Sequence, residues 1–200
     1  MRRSVIPVFA VLACVAATPA LAHPPPLGLR GFSGGLLHPL FVIDHTMAVL
    51  ALGLLMGSQD CNQDKWRWLP PIAFAVGIVG GCAAMTSGVV PLYANEIVLG
   101  IAIVAGLLAA LAWPLPVWLG AALAGVLGAA IALDSPPEVL SIGEANRMLL
   151  GTALGATVFL IVVWQAVRYA RPVWARIAVR AVGSWIAAAA ILALALRFVR

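Results

Sequence analysis

Long apolar runs, separated by short polar or proline-containing stretches, make up most of this chain. Beyond residue 30, six of these runs approach the length of about 20 residues that a helix needs to cross a bilayer. The connecting stretches are short, so we expect neighbouring helices to pack as antiparallel hairpins. The pattern predicts an all-α, polytopic membrane bundle with six transmembrane helices, near Gly31–Gly57, Pro71–Val90, Glu96–Trp113, Val117–Leu133, Met148–Val167 and Ile177–Phe198.

The first 22 residues have the organisation of a cleavable secretory signal peptide. Two arginines precede the apolar run Val5–Leu21, and an Ala-x-Ala cleavage site ends at Ala22. An uncleaved first helix is the alternative. Cleavage after residues 1–22 would make His23 the first residue of a six-helix transmembrane domain spanning 23–200, with this terminus outside the cytoplasm.

Composition supports a membrane protein and excludes a soluble one. Hydrophobic residues make up 64% of the chain and charged residues 10%, whereas a soluble domain is roughly 45–50% apolar and about 25% charged. The chain is basic, with 12 Lys and Arg against 7 Asp and Glu. These basic residues flank apolar runs and form no stripe, so the lipid bilayer is the predicted partner and nucleic acid is not. They are more frequent in the loops expected to face the cytoplasm. This predicts an inner-membrane protein with both termini outside the cytoplasm.

The sequence contains no motif for covalent chemistry. Neither a P-loop nor a GxGxxG motif is present, and no arrangement of Ser, His and Asp suggests hydrolysis. Three widely spaced cysteines form no CxxC pair. We therefore predict that the protein is not an enzyme and holds no resident cofactor.

The first predicted span contains polar residues that lipid disfavours. His38, Asp44 and His45 lie in a run composed mostly of small and apolar residues. An Asp at the bilayer centre costs about 2.5–3.5 kcal/mol on insertion scales, and such a residue is a functional candidate. The alternative is that Asp44 only accepts a hydrogen bond that holds the bundle together. Imidazole beside carboxylate suits divalent transition-metal ions such as Ni²⁺, Co²⁺, Zn²⁺ or Cu²⁺, so we predict a metal site here.

Helix geometry constrains this site. His38 and His45 would share one face of a regular helix, about 10.5 Å apart along its axis. Nitrogen ligands of one ion must lie within roughly 4 Å of each other. Pro39 removes an intrahelical hydrogen bond and disfavours the α conformation at His38. We expect a kink or break there that brings His38 toward Asp44 and His45. Two successive ion stations are the alternative.

Other polar residues give weaker signals. After cleavage, His23 would present a free α-amine beside its imidazole, so we predict it as a further metal ligand; an incidental residue at the cleavage junction is the alternative. Asn95 and Glu96 open the third span, where an acid is favourable without any function. Asp134 lies in an outer loop, where we expect it to be solvated; attraction of cations to an entrance is the alternative.

Glycine pairs at four-residue spacing mark helix faces that can approach other helices closely in lipid. These faces favour packing within the bundle, and a homo-oligomer is the alternative. The pairs are Gly31 and Gly35, Gly77 and Gly81, and Gly151 and Gly155.

The motif of the first span is similar to that of a known family. The similar residues are His23 after the signal peptide, Gly34-Gly35, His38-Pro39, Asp44-His45, Met47-Ala48 and, in the last span, Arg180-Ala181-Val182-Gly183. Together they resemble the HupE/UreJ family of hydrogenase- and urease-associated nickel permeases, over nearly the whole mature chain. The resemblance implies a six-helix inner-membrane transporter of Ni²⁺, or of Co²⁺. His38, Asp44 and His45 would be its transport ligands, and His23 an accessory one.

The fourth span departs from the family pattern. The family usually carries His-Gly-x-Ala-His-Gly-x-Glu there, and residues 127–134 of this chain read Leu-Gly-Ala-Ala-Ile-Ala-Leu-Asp. Leu127 and Ile131 replace the two histidines, and Asp134 stands where the acid would be. We predict a secondary permease for a divalent transition-metal ion, Ni²⁺ before Co²⁺. A non-transporting membrane accessory or metal-sensing protein of hydrogenase or urease maturation is the alternative.

Overall fold

The computed structural model describes residues 31–59, 66–89, 92–136, 141–170 and 172–199. In these ranges the chain is all-helical, as predicted, and no strand occurs. The predicted signal peptide and His23 lie outside the described residues. The helices are α1 (Gly31–Phe41), α2 (Ile43–Ser58), α3 (Leu69–Thr86), α4 (Ala94–Leu111), α5 (Val117–Leu133), α6 (Ile142–Tyr169) and α7 (Val173–Phe198).

Helix length and composition support a membrane protein. Four helices, α3, α4, α6 and α7, are long and apolar enough to cross a membrane. The pair α1 and α2 passes the same test only when both helices are taken together, and it is bent by 69°. Helix α5 is shorter, with 17 residues. The described helices thus provide four spans, or five with the bent pair counted as one, and the count of six stays a prediction.

The expected break in the first span is present, but it lies further along the chain. His38 and Pro39 are both helical, so the expected loss of α conformation at His38 is wrong. The chain turns at Val42, whose φ of −84° and ψ of 107° are extended. The Thr46 hydroxyl donates its one hydrogen to the Pro39 carbonyl at 2.8 Å, with the Val42 carbonyl at 3.1 Å as a second acceptor within reach. The Val42 carbonyl also accepts the backbone N–H of Thr46 at 2.9 Å. The hydroxyl therefore serves chiefly the Pro39 carbonyl near the end of α1, which supports the bend in an apolar setting.

Small residues bring helices of the same chain together. Helix α1 packs on α6, and α3 packs on α5. A Cβ on Gly35 would meet the carbonyl of Met148, and a Cβ on Gly77 would meet that of Gly125. These faces are therefore occupied by bundle packing, and a homo-oligomer through them stays a prediction. The other predicted glycines that adjoin a neighbouring helix are Gly81, Gly151 and Gly155.

Helix α2 occupies the centre of the bundle. It packs against α1, α4, α5, α6 and α7. Ala48, Val49, Ala51 and Leu52 have no exposed surface. Because Asp44 and His45, two of the predicted metal ligands, lie in the first turn of α2, its central position places their side chains among the other helices.

Candidate metal centre

His45, in the first turn of α2, is completely buried. Its Nε2 lies 2.9 Å from Oδ2 of Asp134, the C-cap residue that follows α5. Its other ring nitrogen, Nδ1, is also buried and has no hydrogen-bond partner among the described residues. A buried polar atom without a partner is unfavourable in a folded protein and requires an explanation.

The state of Asp134 assigns the tautomer of His45. Burial raises the pKa of Asp134, but hydrogen bonds from His45 and Asn95, together with the nearby positive charge of Arg197, outweigh it and hold the pKa below its usual value. An ionised carboxylate can only accept, so the shared hydrogen belongs to His45 Nε2. In a neutral imidazole Nδ1 then carries a lone pair. A histidine held by a carboxylate through one nitrogen, with the other nitrogen available, has the arrangement of a metal ligand.

Asn95 joins the two acids that flank His45. Its Nδ2 donates to Oδ2 of Asp44 and to Oδ2 of Asp134, each at 3.0 Å. Its Oδ1 is buried and has no hydrogen-bond partner within the described ranges. An amide oxygen can accompany imidazole and carboxylate around a divalent ion. Asn95 therefore positions two carboxylates and offers a further oxygen beside them.

A cation closes the cluster on its more exposed side. Arg197, in the last turn of α7, places Nη2 3.6 Å from Oδ2 of Asp44 and Nη1 3.5 Å from Oε1 of Glu96. Four helices, α2, α4, α5 and α7, thus contribute side chains at the same end of the bundle. We call this group the polar cluster: Asp44, His45, Asn95, Glu96, Asp134 and Arg197.

The bend at Val42 brings His38 beside the polar cluster. The ring centroids of His38 and His45 are 5.6 Å apart, with 63° between the ring planes. This is much closer than the roughly 10.5 Å of axial separation on a straight helix. Within the described ranges, however, no three His, Cys, Asp or Glu side chains are arranged to hold one metal ion together. His38 lies beside the His45 ring and Asp44 precedes His45 in the chain, but the structure does not gather the three side chains around a single point.

Three members of the polar cluster make contacts that differ from the sequence-based expectation or go beyond it. The expectation that Asp134 is solvated in a loop is wrong: its side chain is 23% exposed and is bonded to His45 and Asn95. Asn95 was expected to do no more than begin a helix. Its position after a polar turn gave no sign of its contacts, because those contacts depend on how α2, α4 and α5 are arranged. Nor did any local pattern connect Arg197 with Asp44.

The middle of the bundle is apolar where the family pattern has histidines. Leu127 and Ile131 have no exposed surface and belong to the same hydrophobic cluster as Val49 and Leu52. Ile131 and Leu127 precede Asp134 by three and seven residues, so the three side chains lie on the same side of α5.

A cavity of about 320 Å³ lies beyond this apolar region, at the opposite end of the bundle from the polar cluster. Its lining includes Leu55, Ser58, Gln59, Gly120 and Arg168.

Comparison with known proteins agrees with the motif in the first span. The family model described as HupE / UreJ protein matches residues 11–193, nearly the whole chain. Searches of curated proteins and of solved structures give no match. The family match and the apolar helices indicate a membrane protein. The chain therefore belongs to the HupE/UreJ family.

Proposed function

We propose that this protein is a secondary permease for a divalent transition-metal ion, with Ni²⁺ as the first candidate and Co²⁺ as the second. The HupE/UreJ family is associated with nickel or cobalt transport and with hydrogenase or urease maturation. Passage of an ion requires no covalent step, so the proposed role is not enzymatic. The ion is cargo, and no resident cofactor takes part.

The observation that carries this proposal is the environment of His45. A buried imidazole with Nε2 fixed by Asp134 and Nδ1 without a hydrogen-bond partner among the described residues is suited to receive an ion. His38 and Asp44 are the neighbouring ligands in the proposal, and His23 is an accessory one. Water completes the shell. Incomplete coordination by protein suits a permease, because the ion must bind and then leave.

The route through the bundle requires a second conformation. From His45 to Leu55, near the cavity, α2 rises about 15 Å. Fully buried apolar side chains, including Val49 and Leu52, occupy this interval. An ion stripped of water is strongly unfavourable among such side chains. We therefore propose that α2 and its neighbours separate during transport and that the ion leaves through the cavity.

The proposed topology places the polar cluster outside the cytoplasm. Residues 1–22 are a cleaved signal peptide in this proposal, α1 and α2 form one broken span, and α5 is the fourth of six spans. The six spans alternate across the inner membrane, and both termini lie outside. The beginnings of α2 and α4 and the ends of α5 and α7 then face the same side. The contacts of the polar cluster support this alternation.

Uptake into proteoliposomes tests the proposal. Wild-type protein is expected to accumulate Ni²⁺ down an imposed gradient, and His45→Ala is expected to abolish accumulation. Thr152→Val is the matched control, because it removes another buried polar group whose hydroxyl donates to the Met148 carbonyl. Thermal unfolding in detergent verifies that each variant is folded. Normal uptake by both His38→Ala and His45→Ala would refute the permease proposal.

The apolar residues of α5 favour a second candidate, a non-transporting accessory or metal-sensing protein. If the bundle has no second metal site beyond His45, because Leu127 and Ile131 stand in place of histidines, an ion can bind at the polar cluster without crossing the membrane. The same proteoliposomes distinguish the two functions. A permease accumulates Ni²⁺ in proportion to the gradient, whereas a sensor saturates at a fixed ratio of ion to protein.

A further inference from the structure

Arg197 occupies the position that a bound cation would have to approach. Its guanidinium faces Asp44 on α2 at 3.6 Å and Glu96 on α4 at 3.5 Å. Asp44 is also a predicted ion ligand. An arginine stays protonated under all ordinary conditions, so it presents a permanent positive charge to this carboxylate. A divalent ion and the guanidinium must therefore compete for Asp44.

The geometry of Arg197 is that of a contact which can be exchanged. Charge-assisted hydrogen bonds between nitrogen and carboxylate are usually about 2.7–2.9 Å long, and both distances here are longer. The side chain of Arg197 is 44% exposed, against 23% for Asp44. Water can thus solvate the guanidinium when it leaves Asp44, and its second contact, with Glu96, can persist.

We propose that Arg197 is a tethered counter-cation that neutralises Asp44 in the empty protein and yields it to the incoming ion. This inference rests on the proposed function, and it adds a residue that sets ion affinity without binding the ion. While the site is empty, Arg197 limits repulsion among Asp44, Glu96 and Asp134. When the ion binds, the guanidinium swings toward Glu96. Arg197 thereby weakens ion binding, which favours release.

Ni²⁺ binding isotherms of the full chain in detergent test this role. Arg197→Gln is expected to bind Ni²⁺ about two- to fivefold more tightly than wild type, which is the scale of a partly exposed charge interaction. Arg197→Lys keeps the charge and is expected to bind as wild type does. The matched control is Arg176→Gln, an exposed arginine near the other end of α7, with no expected change. Arg197→Met is a second neutral variant of similar length, used if Arg197→Gln does not purify as folded protein.

The outcomes separate this inference from the proposed function. Tighter binding in a folded neutral variant, together with wild-type affinity in Arg197→Lys, supports the counter-cation. If wild type binds Ni²⁺ and both neutral variants bind equally or more weakly, Arg197 only fastens the end of α7 and the inference is wrong. If wild type itself binds no Ni²⁺, the proposed function fails and the inference falls with it.

Discussion

The first turn of α2 and the turns that follow it are equally buried, but the first turn contains a buried polar side chain and the following turns contain buried apolar ones. His45, Val49 and Leu52 all have no exposed surface. His45 faces Asp134 at the end of α5, whereas Val49 and Leu52 belong to the hydrophobic cluster that contains Leu127. The same pair of helices, α2 and α5, therefore contributes to the polar cluster at one end and to an apolar region in the middle of the bundle.

This difference shows why buried polar side chains are better tolerated at the helix ends than in the middle of the bundle. A buried imidazole needs partners, and helix termini supply them because their backbone and capping residues already face polar surroundings. Asp134 is the C-cap residue of α5 and Asn95 lies in the first turn of α4, so both reach His45 or its neighbours without interrupting a helix. Deeper in the bundle an imidazole would need a partner from another helix interior. Apolar side chains need none.

The largest effect is expected when the polar cluster loses the Asp134 carboxylate that orients His45. Asp134→Asn keeps the shape of the side chain, but its amide no longer fixes the hydrogen on His45 Nε2. Loss of such an orienting partner typically lowers metal affinity about 10- to 100-fold. Ni²⁺ isotherms measure the change. Ser135→Ala is the control, because that buried hydroxyl donates to the Ile131 carbonyl and not to the polar cluster. Equal affinity in Asp134→Asn and wild type would show that His45 needs no orienting carboxylate.

A second prediction concerns the apolar side chains of α5 in the middle of the bundle. Leu127→His combined with Ile131→His restores the residues of the family pattern, and histidines four residues apart can chelate one ion. We expect Ni²⁺ affinity to rise at least about tenfold, equivalent to about 1.4 kcal/mol. Thermal stability should fall, since two imidazoles replace apolar side chains in the core.

Uptake shows whether the location of the new histidines matters. The matched control places the same pair on the exposed face of α5, as Ala122→His with Val126→His. Both double variants should bind additional Ni²⁺, but only the buried pair should increase transport. An equal effect of the two pairs on uptake would contradict the idea that the apolar centre limits passage.

Sequence could predict the parts of this molecule that depend on local pattern. The long apolar runs located the helices, and the motif of His38, Asp44 and His45 located the polar end of α2. Sequence could not place the bend at Val42, because the helix tolerates Pro39 near its end and the Thr46 hydroxyl then supports a later break. Asn95 and Arg197 were missed for a related reason: their contacts join residues 39 to 153 positions apart, and no spacing rule connects them.

A smaller effect is expected from the hydroxyl that supports the bend. Thr46→Val removes the hydroxyl that reaches the Pro39 and Val42 carbonyls while nearly keeping the volume of the side chain. The expected loss is about 0.5–1.5 kcal/mol of stability, with a modest loss of Ni²⁺ affinity as His38 shifts from His45. Thermal unfolding and Ni²⁺ isotherms measure the two effects. Thr152→Val removes a comparable hydroxyl contact on α6 and should leave affinity unchanged. The same affinity in both variants would show that the bend does not position His38.

The smallest effect concerns the proposed mature terminus, where His23 would add an accessory ligand to the polar cluster. Cleavage after Ala22 leaves a chain that begins at His23, and the mass of the intact purified protein measures this directly. If the α-amine and imidazole of His23 only assist the ion at the entrance, His23→Ala should weaken Ni²⁺ binding by about threefold or less, equivalent to less than about 1 kcal/mol. Replacing Leu27 by Ala in the same stretch serves as a control for the terminus. A protein that retains residues 1–22 would remove the α-amine from the argument. A loss as large as that of His45→Ala would make His23 a principal ligand.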